Sequence, residues 1–524
     1  MKVRMRGIVA ALMGGVCALA AAGGAGAAGP ATLSARQIDE VVESARKAFD
    51  VPGVAVAVIQ PGQAPYLKGY GTRDGAGSPP VDADTLFGIG SISKAFTTIA
   101  IAMLAQEGKL DWNDPVIKHI PEFRMADPWV TREFTIRDLV THRSGLGPYA
   151  GDLIILTDSK ANRKQVYQAL ANLPAATSFR TTYAYDNLLY IVAGDLVERV
   201  SGQSWQDFVT ARILKPLDMS GCVADQLRLG KDAPKAVAHD YADGKLEAVD
   251  FPLPQVTVPA GGIFCNAQGM AKWMAFNLGA PSAVKLDKAR AEELFRPVTP
   301  TPTNPAAAQY AGASFSAYGL GWFLQDSYGR REAQHGGGLP GMVSQISIFP
   351  GSGFGVMVMS NKSTRASSAI AMRLANLAFS DHPQDFIPKM GAGELQAVAQ
   401  AAKTVTDVKA APRAGSAARA ALPPASYVGR YRDPWFGEVE VRVDNGALVM
   451  DLGSKSLTGP LNHVDGDLFV AAWRDRGLNA DAYANFRQDE QGRIVAISMQ
   501  AVSPRTDPSF NFHDLHLVRE DAQR

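Results

Sequence analysis

The hydrophobic pattern of this 524-residue chain changes period once, and that change limits the fold more than any other feature. Residues 391–424 are rich in Ala, Lys and Arg and end in Ala421-Leu422-Pro423-Pro424, which reads as a helix fading into a linker. Beyond it apolar residues come at every second position. Val439, Val441 and Val443 alternate with charged neighbours, and Asn445-Gly446 marks a tight turn before the next such run; residues 425–524 are therefore expected to be a small antiparallel β domain. Before the linker the pattern is mixed. An amphipathic helix is expected over 33–50, and a hairpin over Val54–Ile59 and Tyr66–Tyr70. Ser91–Glu107 reads as a helix stopped by Gly108, further helices fall around 190–215, and a second hairpin spans Ser344–Phe349 and Phe354–Ser360. Strands at both ends with helices between imply a mixed α/β domain over 28–390 whose sheet is largely antiparallel.

Lys2, Arg4 and Arg6 precede an apolar stretch, and Ala25-Gly26-Ala27 offers a cleavage site. Residues 1–27 thus read as a signal peptide, which predicts a periplasmic or secreted protein with no integral membrane segment in the mature chain. Removing three basic and no acidic residues takes the net charge from +1 to −2. A chain this balanced has no global field to gather nucleic acid. Of three cysteines, Cys17 leaves with the leader. Cys222 and Cys265 are no disulfide framework, and the residues favour two buried free thiols over a bridge. Metal-ligand spacing is absent, and His513-x-x-His516 reads as ordinary surface or core in a strand-like segment.

Three motifs carry chemistry. Ser91-Ile92-Ser93-Lys94 opens a predicted helix, where positions i and i+3 share a face, so the Lys94 amine can reach the Ser91 hydroxyl. A serine needs a proton acceptor, and a lysine serves only when its pKa is lowered. Phe87-Gly88-Ile89-Gly90 supplies glycines for a tight approach to that helix. Ser44-Ala45-Arg46-Lys47 has the same form but lies in the middle of an amphipathic helix, and is read as a decoy. Tyr185-Asp186-Asn187 offers a phenol that can act as phenolate or proton relay and an amide that can orient a carbonyl. Tyr483-Ala484-Asn485 is read as an ordinary strand. His335-Gly336-Gly337-Gly338 precedes a strand; its glycines would let a substrate backbone approach the sheet edge, and its histidine could bind an acyl group, carry a proton or tune Lys94.

Together and in this order, Ser91–Lys94, Tyr185–Asn187 and His335–Gly337 resemble the class C β-lactamase and penicillin-binding-protein-like serine hydrolases, which include D-alanyl-D-alanine carboxypeptidases, D-aminopeptidases and esterases. Leu110–Pro115, Leu139–Leu146 and Pro259–Gly262 are similar to scaffold segments of that family, and the likeness covers roughly 35–385. Tyr427-Val428-Gly429-Arg430-Tyr431 and Trp435-Phe436-Gly437 resemble the lipocalin-like barrel appended to some members. The resemblance implies a β-lactamase-like transpeptidase fold, an antiparallel sheet flanked by helices, with a C-terminal antiparallel β-barrel. It implies no cofactor and no metal. Its roles, carried over, make Ser91, Lys94 and Tyr185 catalytic, place Asn187, His335, Gly337 and Gly338 at the substrate, and set the backbone N–H groups of Ser91 and Gly338 at the oxyanion.

Two departures bear on substrate. His335 stands where β-lactamases carry the lysine of K-T-G, as in the esterase and D-aminopeptidase branches. Asp186 fills the middle of Y-x-N, where it either favours a cationic group in the cleft or points into solvent. The expected activity is acyl transfer on small peptides, amides or esters, with D-amino-acid peptides foremost. A carboxylesterase, a β-lactamase and a non-catalytic penicillin- or cell-wall-binding protein are the alternatives, along with a small-ligand carrier working through the barrel. His142 is expected to make a structural hydrogen bond, Ser93 to point away from Lys94, and Ser144 to brace a loop. The stretches 147–180 and 225–258 are expected to border the cleft; for the barrel, shielding the cleft mouth and merely packing on the first domain stand as alternatives to the carrier.

Overall fold

A computed structural model describes residues 29–75, 77–157, 161–250, 253–410 and 422–520; the signal peptide expected over 1–27 lies outside them. The catalytic sheet has eight strands, and its order is set by both ends of the first domain. Gly53–Ile59 pairs on one side with its hairpin partner Tyr66–Gly71 and on the other with Phe354–Ser360, Val56 opposite Val358. Met342–Phe349, Arg330–Leu339, Phe323–Ser327, Ser316–Tyr318 and Thr299–Pro300 continue outward, every pair antiparallel. Val54, Val56 and Val58 point to one face, and Ala55 and Ala57 to the other. Both faces are covered, so Gly53–Val58 is buried at every position. That is why its sequence reads as an unbroken apolar run rather than an alternation.

One face carries helices Ala35–Ala48 and Ala366–Phe379. On the other lies helix Ser93–Gln106, buried from Ser93 to Ala105. A helix apolar all round belongs inside a domain, and here it packs on helix Leu188–Ser201 and stacks Phe96 at 3.6 Å on Trp273 of helix Ala267–Asn277, which itself lies against strands Gly53–Ile59 and Phe354–Ser360.

The helix expected at the start of 391–424 is present and begins at Ile387; the expectation of two free thiols is corrected. Ile387–Ala410 is one continuous helix packed on the catalytic domain, and its Glu394, 1% exposed, accepts from Thr364 Oγ1 at 2.7 Å and Arg365 N at 2.9 Å. Cys222 and Cys265 form a disulfide. Cys265 pairs in a two-residue strand with Phe87, so the bridge ties residue 222 to the segment leading into Ser91.

The C-terminal domain is a closed eight-stranded antiparallel barrel running from Gly429–Asp433 to His516–Arg519, sealed where Tyr431 meets Arg519. Val439 and Val441 point inward and are fully buried. Asn445-Gly446 turns with φ of 49° and 83°, the pair of positive values a two-residue hairpin needs. Tyr427, Tyr431, Phe469 and Phe486 fill the interior, Tyr427 standing edge-on to Phe469 and Phe486 at 5.0 and 4.9 Å.

Candidate active site

Ser91 lies in a single turn, Gly90–Ile92, that runs straight into helix Ser93–Gln106. The turn requires Gly90 at φ +52°, and a Cβ there would sit 2.7 Å from the Gly338 nitrogen. The backbone of Gly338 is thereby held beside Ser91. Gly337 has a different task from Gly338. A Cβ on Gly337 would meet Ile89 O at 1.9 Å, whereas one on Gly338 would meet nothing; Gly337 lets the strand close on the nucleophile turn, and Gly338 faces the cleft. Strand Arg330–Leu339 pairs with Phe323–Ser327 only as far as Gln334, so that edge of residues 335–339 is left unpaired by that strand.

Lys94 is fully buried. Its Nζ lies 3.0 Å from Ser91 Oγ, 2.7 Å from Asn187 Oδ1 and 2.9 Å from Ala260 O. The amide and carbonyl oxygens can only accept, so they take two amine hydrogens. In the neutral amine the remaining position, facing Ser91, is the lone pair. Burial pulls Lys94 down to about 7, opposed by the charges of Asp152 and Asp186. The neutral form is thus populated at physiological pH.

The ring centroid of Tyr185 lies 4.8 Å from Lys94 Nζ, and the Ser91 hydroxyl beside it favours the ionised phenol. Burial, reinforced by Tyr318, pushes its phenol well above the ordinary value, which suits a proton relay rather than a standing phenolate. His335 is buried, its Nε2 3.1 Å from Tyr318 Oη and its Nδ1 2.6 Å from Gly336 O. Burial and the nearby Lys94 take it down to about 3, so it is neutral and supplies no cation at this strand.

Asp186 neither faces a cationic substrate nor points into solvent. It is fully buried, and its Oδ1 accepts from Leu189 N at 3.3 Å at the start of helix Leu188–Ser201. Burial raises it to about 7. His142 accepts the Asp186 backbone N–H at Nδ1, 3.1 Å away, and packs on Tyr185 with centroids 4.3 Å apart. Ser144 Oγ accepts from Leu146 N, and Ser93 Oγ accepts from Ile263 N. All three are scaffold, as their sequence context indicates. The decoy Ser44 stays in helix Ala35–Ala48, and Tyr483 and Asn485 stay in a barrel strand.

The site opens into a cavity of about 700 Å³ with Ser91, Asn187 and Gly338 on its floor. Ile155 and Leu156 line it from one expected border and Asp240, Tyr241 and Leu253 from the other. Three walls have no motif to announce them: Val398 and Ala401 of helix Ile387–Ala410, barrel residues 476–479, and barrel residues 503–510. Asp152 is also unannounced. It is fully buried, and its Oδ2 accepts from Asn187 Nδ2 at 2.6 Å. Its only sequence signal is a place in the irregular stretch 147–180.

The beta-lactamase family model matches residues 38–379, and the chain belongs to that family. Residues 413–519 match a domain of unknown function (DUF3471). The chain is 28% identical to an unguisins hydrolase of Aspergillus violaceofuscus, covering 87% of this chain and 86% of that protein. It is 26% identical to the protein flp of Staphylococcus aureus strain N315, covering 63% of each. The structure of the octameric penicillin-binding protein homologue from Pyrococcus abyssi covers 93% of this chain and 100% of its own, with a TM-score of 0.59 and 21% identity, a likeness of fold.

Proposed function

We propose that this protein is an exported serine hydrolase that cleaves amide or ester bonds in small substrates through an acyl-enzyme on Ser91, with short and D-amino-acid-containing peptides as its preferred class. The observation that carries this reading is the partner set of Lys94. Two pure acceptors take its hydrogens and leave the third position for Ser91 Oγ–H. Lys94 takes the serine proton as Ser91 attacks the carbonyl, and Tyr185 relays it to the leaving group. The tetrahedral oxyanion lies between the backbone N–H groups of Ser91 and Gly338, donors worth about 2.7–4 kcal/mol each in comparable sites. Water then releases the acyl group. The unpaired edge at 335–339 suits an extended peptide, which adds to it as a strand. Relatives named as hydrolases support the reaction class. The leader-like residues 1–27 and the disulfide support export to an oxidising compartment. Neutral His335 argues against a β-lactamase built around a cationic third motif, and the aromatic filling of the barrel argues against a carrier.

The test is hydrolysis of p-nitrophenyl butyrate by the purified mature protein beside Ser91→Ala and Ser44→Ala. Turnover should vanish in the first variant and persist in the second. Full activity in Ser91→Ala ends the assignment.

A further inference from the structure

The barrel reaches into the hydrogen-bond network of the site itself. Ser509 Oγ lies 2.9 Å from Asp152 Oδ2, the oxygen that also accepts from Asn187 Nδ2 at 2.6 Å. Asn187 Oδ1 in turn accepts from Lys94 Nζ at 2.7 Å. The contact is not isolated. The backbone N–H of Leu153, the next residue, donates to Asn511 Oδ1 at 3.1 Å, and Asn511 is fully buried and held by Asp514 at 2.7 Å. Two barrel side chains therefore grip two consecutive residues of the catalytic domain.

An amide has two ends and can sit either way round. Asn187 must present oxygen, not NH2, to Lys94 if the amine's lone pair is to face Ser91. In its ionised form Asp152 accepts only, and so fixes that orientation from the far end of the amide. Asp152 is itself a costly neighbour. It is fully buried, with no partner on Oδ1 among the described residues, and among them the Ser509 hydroxyl is one of two side-chain donors to Oδ2.

We propose that Ser509, carried by the C-terminal barrel, is a positioning residue of the hydrolytic site: it holds Asp152, which orients Asn187 and through it the amine of Lys94. The proposal rests on the reading of Ser91 as nucleophile. Burial raises Asp152 to about 8, and the Ser509 and Asn187 hydrogen bonds favour its ionised form. Removing the hydroxyl therefore moves Asp152 further up. The charged or titratable groups acting on Asp152 are Lys94 and Asp186, and Tyr149 feels the charges of both Asp152 and Asp507.

The experiment compares wild type, Ser509→Ala, Ser509→Thr, Asp152→Asn and Ser91→Ala as full-length mature proteins. It measures kcat and KM for p-nitrophenyl butyrate across pH. Ser509→Ala should lower kcat about tenfold, the scale of a lost hydrogen bond to a charged group, with KM within about twofold. The acid limb of its kcat profile, set by Lys94, should move down by about half a unit, because a more protonated Asp152 no longer holds Lys94 up. Ser509→Thr, which keeps the hydroxyl, should restore both, and Asp152→Asn should remove the contribution of that titration. A Ser509→Ala profile that matches wild type overturns the role of Ser509 and leaves Ser91 untouched. So does one that is scaled down without shifting, or a loss that Ser509→Thr does not restore. Hydrolysis persisting in Ser91→Ala overturns the nucleophile reading beneath it.

Discussion

Lys94 works only as a free amine, and the protein arranges this by surrounding it with acceptors while denying it water. The pH dependence follows. A base with its pKa drawn down to about 7 loses its proton as pH rises through that value, so acylation of Ser91 should climb between about pH 6 and 8 and be slow below. Stopped-flow acylation by an activated ester measures it. Lys94→Arg, charged at every accessible pH, should lose at least about a hundredfold in kcat with no rising limb. Asp186 makes a prediction about stability. Its folded pKa of about 7 lies above the ordinary aspartate value of 3.8, so the folded state holds the proton more tightly. Its stabilising contribution is full below about pH 4 and is lost as pH rises through 7. Urea midpoints at pH 5 and pH 8 should show that fall, and Asp186→Asn should reduce it. Ser91, Lys94, Tyr185, Asn187 and His335 were legible in sequence because each sits in a short motif whose spacing carries geometry. Asp152 and Ser509 were not, because a lone carboxylate and a lone hydroxyl separated by 357 positions leave no local pattern. Asp186 was legible as unusual, but burial decided its role, and burial is not written in a triplet.

Elements show the same division. Both hairpins of the catalytic sheet, the nucleophile helix and the Asn445-Gly446 turn follow from local chemistry, and the sequence places them within a few residues. The helix Ile387–Ala410 was half legible: its composition announced a helix, but only packing reveals that Glu394 anchors it and that Val398 and Ala401 wall the cleft. The His-Gly-Gly-Gly strand shows why glycine matters at one position and not the next. Gly337→Ala would drive a methyl into Ile89 O, so the strand must retreat from the nucleophile turn. It should cost about 1–3 kcal/mol of stability and most of the kcat, read by thermal unfolding and ester hydrolysis together. Gly338→Ala, with open space at its Cβ, should fold normally, and its effect should fall on KM.

Across the whole molecule, the disulfide and the barrel clasp join parts that packing alone brings close. Reduction of Cys222–Cys265, which closes a separation of 43 residues, should lower stability by about 2–4 kcal/mol, measured as a shift in urea midpoint with and without reductant. The barrel meets the cleft rim where Arg476 pairs with Asp243 at 3.1 Å and Asn479 Nδ2 donates to Tyr241 O at 2.6 Å. Asn479 has φ +49°, so Asn479→Gly keeps the backbone while removing that clasp. It should raise kcat/KM for long peptide amides relative to short ones. The central strand Gly53–Ile59 is held by Phe354–Ser360 from the far end of its domain. Loop closure over such a span is slow, and neither the sheet nor the glycine edge beside Ser91 exists until that late segment has been made. A nascent chain therefore carries Ser91 without the strands that surround it, and the candidate site assembles only once synthesis has passed them.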